Sequence, residues 1–276
     1  MLVKTYNTDI EHQRETGHFT LGIVRSMNRS VFDNYRTEWE NDEVSVKVPF
    51  SAAGVGTTIV LTSKFTGKMM LLDVGDGILR DLLLSGNTNF VSDINPIALS
   101  HGHFDHVGGL HSLFGFMRMM ERTNPLNILI PTGCSEAISI IKGYRDLYRT
   151  SLPFKIWYHE LSQGSGFDTD FFKTKSFEVE HSSFESDQGA GVLEPALGFR
   201  VQIGETVVGY TGDTRLCSGA ETVVRDANLA IIEATRKETP APDSGHRVHL
   251  SVEEANELGK LAKEYVLIHK VPEMPP

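Results

Sequence analysis

Cysteine is nearly absent. Cys134 and Cys217 are the two cysteines among 276 residues. That is too few for a disulfide framework or a Cys-rich zinc site, and a reducing compartment is the simpler expectation. No apolar run is long enough to cross a bilayer, and the first ten residues hold no signal-peptide core. No membrane is expected among the partners, and the cytoplasm is the expected location. Positive charge is short as well: 26 Lys and Arg face 36 Asp and Glu, for a formal net charge of -10. A field of that sign opposes nucleic-acid binding unless a local basic patch overcomes it. Long low-complexity tracts are also missing. With 40% hydrophobic and 22% charged residues, the chain reads as one globular domain over residues 1–276, with 1–48 as an atypical N-terminal segment.

What the sequence does have is concentrated at residues 96–109, Pro-Ile-Ala-Leu-Ser-His-Gly-His-Phe-Asp-His-Val-Gly-Gly. An apolar run from Ile97 to Leu99 ends in Ser100, and His101, His103, Asp105 and His106 then fall within six positions. Imidazole and carboxylate at this density suit metal ligands on a loop at a strand end better than ordinary core histidines. Gly108 and Gly109 follow at once and allow close backbone approach before the next helix.

The same event recurs along the chain. Strands expected at 96–100, 171–179, 206–210, 229–232 and 265–268 run into the cluster above, His181, Asp213, Glu233 and His269 respectively. Ligands on loops at strand ends are what a shared site at one edge of two sheets requires. A further strand, Met69 to Leu72, ends at Asp73. A carboxylate there can hold the tautomer of a ligating imidazole, or simply cap its turn. Helices are expected at 78–85, 110–121 and 135–147, and Ser251 to Glu254 forms a capping box that opens another. Leu197 to Ile203 and Thr206 to Tyr210 read as a hairpin, Phe154 to Tyr158 as a strand, and 162–170 as a Gly/Ser/Asp-rich connection. Phe32, Tyr35 and Trp39 are spaced 3 and 4 apart, which suits one face of a short helix packed on the body. Trp39 and Trp157 also offer rings on which a base could stack.

Taken in order, His101-x-His103-x-Asp105-His106, His181, Asp213 and His269 resemble the metal-binding signature of the metallo-β-lactamase superfamily. Within it they resemble the ribonuclease Z and phosphodiesterase branch, over about Gly54 to His269. The resemblance implies an α/β fold, the αββα sandwich of two mixed β-sheets flanked by helices, with two metals at one edge. It puts His101, His103 and His181 on one metal, Asp105, His106 and His269 on the other, and Asp213 between them. Glu233-Ala234-Thr235 resembles the branch's His-Glu-Ala-Thr signature, with Ile232 in place of its histidine. The segment from His249 resembles the His-Ser-Thr-type segment before the last helix. By that resemblance Glu233 orients His249, which contacts phosphate or protonates the leaving oxygen. Bacterial ribonuclease Z enzymes carry a long Gly/Pro-rich arm between the ligands matching His181 and Asp213. Here 31 residues fill that interval, largely the expected hairpin, and such an arm does not fit.

A mixed imidazole and carboxylate set suits two divalent metal ions, Zn²⁺ first and Mn²⁺ second. The expected function is cleavage of a small cyclic or linear phosphodiester by metal-activated hydroxide, with Asp105, His249 and Glu233 catalytic. The expected partner is a small phosphodiester or nucleotide rather than a long structured RNA, and the resemblance suggests a homodimer. Three alternatives stay open: a ribonuclease Z-like RNA endonuclease, a lactam- or thioester-type hydrolase, and a non-catalytic metal-stabilised binding protein. His246 stands near His249 and could share its work. Ser182, Ser183 and Thr214 follow ligand positions and are candidates for contact with substrate or ligands. His12, His18, His111 and His159 have no matching role and read as surface or packing.

Overall fold

Period-two alternation builds both sheets. The computed structural model describes residues 34–86, 88–182, 192–238 and 248–272. Its first half comprises β1 (Thr37–Glu40), β2 (Val44–Ala52), β3 (Gly56–Ser63), β4 (Met69–Leu72), α1 (Ile78–Leu84), α2 (Phe90–Asp93), β5 (Ile94–Ala98), α3 (Phe104–Val107), α4 (Leu110–Met119), β6 (Leu126–Pro131) and α5 (Ser135–Leu147). Then follow β7 (Ile156–Leu161), β8 (Gly166–Asp168), β9 (Lys173–Glu178), β10 (His181–Ser182), β11 (Leu193–Glu194), β12 (Leu197–Ile203), β13 (Thr206–Tyr210), α6 (Ser218–Val224), β14 (Leu229–Glu233), α7 (Val252–Gly259) and β15 (Glu264–Ile268). One sheet has the order β1-β2-β3-β4-β5-β6-β7 and turns from antiparallel to parallel at β4. The other has the order β15-β14-β13-β12-β9-β8, with β13, β14 and β15 parallel.

Alternate residues decide which layer each strand serves. Along β12, Leu197, Phe199, Val201 and Ile203 face the other sheet and share a buried cluster with Val44, Val46, Ile59 and Leu61. β14 is buried on both faces. Leu229 and Ile231 join the inter-sheet cluster, whereas Ala230 and Ile232 pack outward with Val223 of α6 and Leu258 of α7. In β5, Ala98 faces inward while Ile97 packs with Leu113 of α4 and Ile141 of α5. Each such side chain contributes about 1.5–3 kcal/mol on full burial. The result is the expected sandwich of two mixed sheets between helical layers. Ile232 accordingly serves the helical layer, and Glu233, the last residue of its strand, reaches the edge.

Several elements differ from the sequence reading: α2, α3 and the β10–β11 ribbon are short additions, and Asp105 and His106 lie in α3 rather than on a loop. The expected helix through Trp39 is replaced by β1, in which Trp39 pairs with Val46. The alternating Val44, Val46 and Val48 of β2 offer an edge to pair with, and that long-range ladder overrides the local helical spacing. Trp39 still packs on the body, against the inter-sheet cluster; Phe32 lies outside the described residues. The 162–170 connection contains β8, which pairs with β9. α6 had no legible start because its N-cap is Cys217, whose sulfur accepts from Ala220 N–H, where Ser, Thr, Asp or Asn would signal a helix. No helix among the described residues is long and apolar enough to cross a membrane.

Candidate metal centre

Asp73 follows β4, the His101–His106 cluster follows β5, and Asp213, Glu233 and His269 follow or end β13, β14 and β15. Both sheets therefore deliver polar side chains to one edge, where His181 opens β10. The edge is stitched by hydrogen bonds between the sheets. Leu197 N–H donates to Ser100 O at 2.8 Å, and Tyr210 O–H donates to Asp73 Oδ2 at 2.6 Å. Gly212 has φ of 60, and a Cβ there would stand 2.7 Å from the Ser100 Cβ. A side chain at Gly109 would meet Gly75 O at 2.3 Å. These two glycines let the ligand-bearing loops close on the sheet.

Five imidazoles converge, and four have their outer nitrogen held by a hydrogen bond. His106 Nδ1 lies 2.8 Å from Asp73 Oδ2, and His181 Nδ1 lies 2.9 Å from Val248 O. Both oxygens can only accept, so both nitrogens donate. Ser100 Oγ donates to Asp73 Oδ2 and so accepts from His101 Nδ1 at 3.0 Å. Thr235 Oγ1 donates to Glu233 Oε2 and so accepts from His269 Nδ1 at 2.9 Å. His103 differs: its Nε2 stands 3.0 Å from Glu194 Oε2, a charge contact on its outer side. Each hydrogen-bonded partner fixes one tautomer and turns the other ring nitrogen inward as a lone pair.

Those inner atoms want a cation. His181 Nε2 and His103 Nδ1 stand 3.1 Å apart, and His106 Nε2 and His269 Nε2 3.2 Å apart. His101 Nε2 and Asp213 Oδ1 are buried without any hydrogen-bond partner, a costly state unless something binds them. Ligand atoms of His101, His103 and His181 lie within 4.8 Å of one another, as do those of Asp105, His106 and His269. His101, His106 and Asp213 form another such group, and Asp213, His249 and His269 a further one. The donor set fits a dinuclear metal-binding site.

Electrostatics agree. Burial pushes His181 down to about 4, keeping it neutral. Burial would raise Asp105, but its hydrogen bond to His269 and the charge of His106 outweigh that and hold it at about 2. Asp213 is likewise held well below the usual carboxylate range, burial being outweighed by His269 and His106. For His106, burial opposes the charged form, yet Asp213 and Asp73 raise its pKa well above the usual value, so in the metal-free site it carries a proton that a bound metal must displace. Neutral imidazoles and ionised carboxylates are the forms that bind metal.

Beside the cluster, His249 Nδ1 donates to Glu233 Oε1 at 3.0 Å and lies 3.8 Å from Asp213 Oδ2. Burial disfavours the imidazolium, but the charge and hydrogen bond of Glu233 raise His249 to about 9. Glu233 is itself buried and also accepts from Thr214 N, Leu250 N and Thr235 Oγ1. Thr214 thus supports Glu233. His159 bonds Asn127 and His111 packs on Tyr144, both away from the cluster; His12, His18, Ser183 and His246 lie outside the described residues. Sequence reasoning missed Glu194, Tyr210, Ser100 as a support, and Gly54, whose N–H donates to Asp105 Oδ2 at 2.8 Å. None stands in a dense motif. Only Thr235 had a signal, as the third residue of Glu-Ala-Thr.

The sequence pattern described as a beta-lactamase superfamily domain matches residues 71–269. A ribonuclease Z of Thermococcus sibiricus is 30% identical over 247 residues, covering 76% of this chain and 79% of its own. A ribonuclease Z of Pyrococcus abyssi is 28% identical over 249 residues, with 76% and 79% covered. Among solved structures, human tRNase Z, short form, superposes with a TM-score of 0.64 at 23% identity, covering 82% of this chain and 92% of that one. That last likeness concerns the architecture.

Proposed function

The chain belongs to the metallo-β-lactamase superfamily and is homologous to ribonuclease Z, and from that premise we propose that it hydrolyses a small cyclic or linear phosphodiester. The observation that carries the reading is the Glu233–His249 pair, 3.0 Å apart and set against Asp213. The His/Asp cluster in this fold is consistent with metal-activated hydrolysis of a phosphodiester. A thioester expels a thiolate, which departs without a proton and leaves no need for a carboxylate-charged imidazole beside the metals. A phosphodiester expels an alkoxide that such a group can protonate.

His101, His103 and His181 would hold one ion, Asp105, His106 and His269 the other, with Asp213 shared; zinc is the proposed metal. Bound there, two divalent ions supply Lewis acidity toward phosphoryl oxygens and make a nucleophile available at neutral pH. Asp105, ionised and held by Gly54 N–H, accepts a hydrogen bond from the attacking water and orients it. His249 has Nδ1 occupied by Glu233, so Nε2–H is the proton it gives to the departing oxygen. Glu233 keeps that imidazole charged and aimed.

Turnover by metal-reconstituted protein on bis(p-nitrophenyl) phosphate, then on 2′,3′- and 3′,5′-cyclic nucleotides, tests the proposal. Activity lost in Asp105→Ala and His249→Ala, with metal retained in the latter, supports it. Lactam or thioester cleavage without diesterase activity overturns it. Ribonuclease Z-like cleavage of RNA is the second reading, favoured by the names of the homologues, and a precursor transfer RNA in the same series separates the two.

A further inference from the structure

Several cations on the described surface sit beside carboxylates, such as Lys64 by Glu40, Lys68 by Asp93 and Arg215 by Glu180, while others, such as Lys173 and Lys175, form no ion pair with a described residue. Lys142, Arg145, Arg149 and Lys155 form no ion pair with any described residue. From Lys142 to Trp157 the chain carries these four cations and one carboxylate, Asp146, in a protein of net charge -10. Lys142, Arg145 and Arg149 are spaced 3 and 4 apart, on one side of α5 and its continuation. A cation in the last turn of a helix complements the helix dipole, which accounts for Arg145 but not for Arg149 or Lys155, both beyond the helix.

Three of these side chains, Arg145, Arg149 and Lys155, line a cleft of about 290 Å³ together with Leu152, Phe154, Ile156 and Trp157. No carboxylate lines it. Trp157 is 46% exposed, unusual for so large an apolar ring. Lys155 Nζ lies 5.7 Å from its centroid. Unneutralised cations beside an exposed aromatic ring are the chemistry that binds a base and its phosphate together.

The cleft is separate from the metal centre. Glu136, in the first turn of α5, abuts Gly102 between two of the histidines, 2.6 Å from where a Cβ would stand. Arg145 is nine residues further along the helix, about 14 Å at 1.5 Å per residue. We propose that this cleft is a nucleotide-binding site, with the base stacked on Trp157 and the phosphate held by Arg145 and Arg149. The ligand is a free nucleotide or one unit of a single strand.

Tryptophan fluorescence of the metal-loaded chain tests this, with AMP, adenosine, inorganic phosphate and a short oligodeoxyadenylate as probes. Saturable quenching by AMP is expected, with adenosine and phosphate each at least about tenfold weaker, because both halves of the site contribute. Quenching should vanish in Trp157→Phe, where any remaining signal comes from Trp39. Arg149→Ala should weaken AMP about tenfold while leaving bis(p-nitrophenyl) phosphate turnover unchanged, which also separates this site from the metal centre. Tighter oligonucleotide binding that falls steeply with salt assigns the site to a strand; equal affinity per nucleotide assigns it to the free ligand. The proposal is overturned if neither probe quenches at millimolar concentration, or if quenching survives Trp157→Phe or is unchanged in Arg149→Ala.

Discussion

His103 Nε2 lies 3.0 Å from Glu194 Oε2, on a two-stranded ribbon in which Glu194 pairs directly with His181. One short ribbon therefore presents one histidine to the cluster and sets a carboxylate against another. Glu194→Gln, which can still accept but carries no charge, should weaken the metal held by His101, His103 and His181 about 10- to 100-fold. Chelator competition monitored by metal analysis reads this out. The other ion and the melting temperature of the metal-free protein should hardly change; loss of both ions would mean that Glu194 has a general structural role instead.

His249→Ala should keep two metals and lose about 10²- to 10⁴-fold in kcat on a nucleoside diester. The loss should be smaller on bis(p-nitrophenyl) phosphate, whose leaving group departs without a proton. Equal losses on both substrates would point to phosphate binding rather than proton donation.

Asp73 accepts from Ser100 N and Oγ, Tyr210 O–H and His106 Nδ1, all within 2.8 Å. Asp73→Ala strands those donors in the core and should cost about 3–5 kcal/mol in urea unfolding of the metal-free protein. Tyr210→Phe removes one charge-assisted bond and should cost about 1.5–3 kcal/mol.

Stripping metal with a chelator should lower the unfolding temperature, because ligands that bind the native state alone stabilise it. The effect is about 2.7 kcal/mol per site at a free metal concentration one hundred times Kd. Affinity should fall as pH drops, first because His106, whose pKa is raised well above the usual value, holds a proton the metal must displace, and again toward about 4, where His181 takes one. Calorimetry with and without zinc, repeated at acid pH, checks both statements.

The sequence by itself determined the His/Asp residues that converge, the strands that deliver them and the layered fold. Dense His/Asp spacing, period-two alternation in β12, the continuous apolar run of β14 and the capping box of α7 are local patterns that neighbouring residues write. Only the tertiary structure decided which imidazole nitrogen faces inward, that Trp39 joins an edge strand, that Glu194 stands against His103 and that the cations at the end of α5 form no ion pair with a described residue. Those outcomes depend on partners far apart in the chain: Tyr210 reaches Asp73 across 137 positions. A hydrogen bond of that kind forms because two sheets close face to face. Its donor and acceptor therefore leave no spacing in the sequence from which they could be paired.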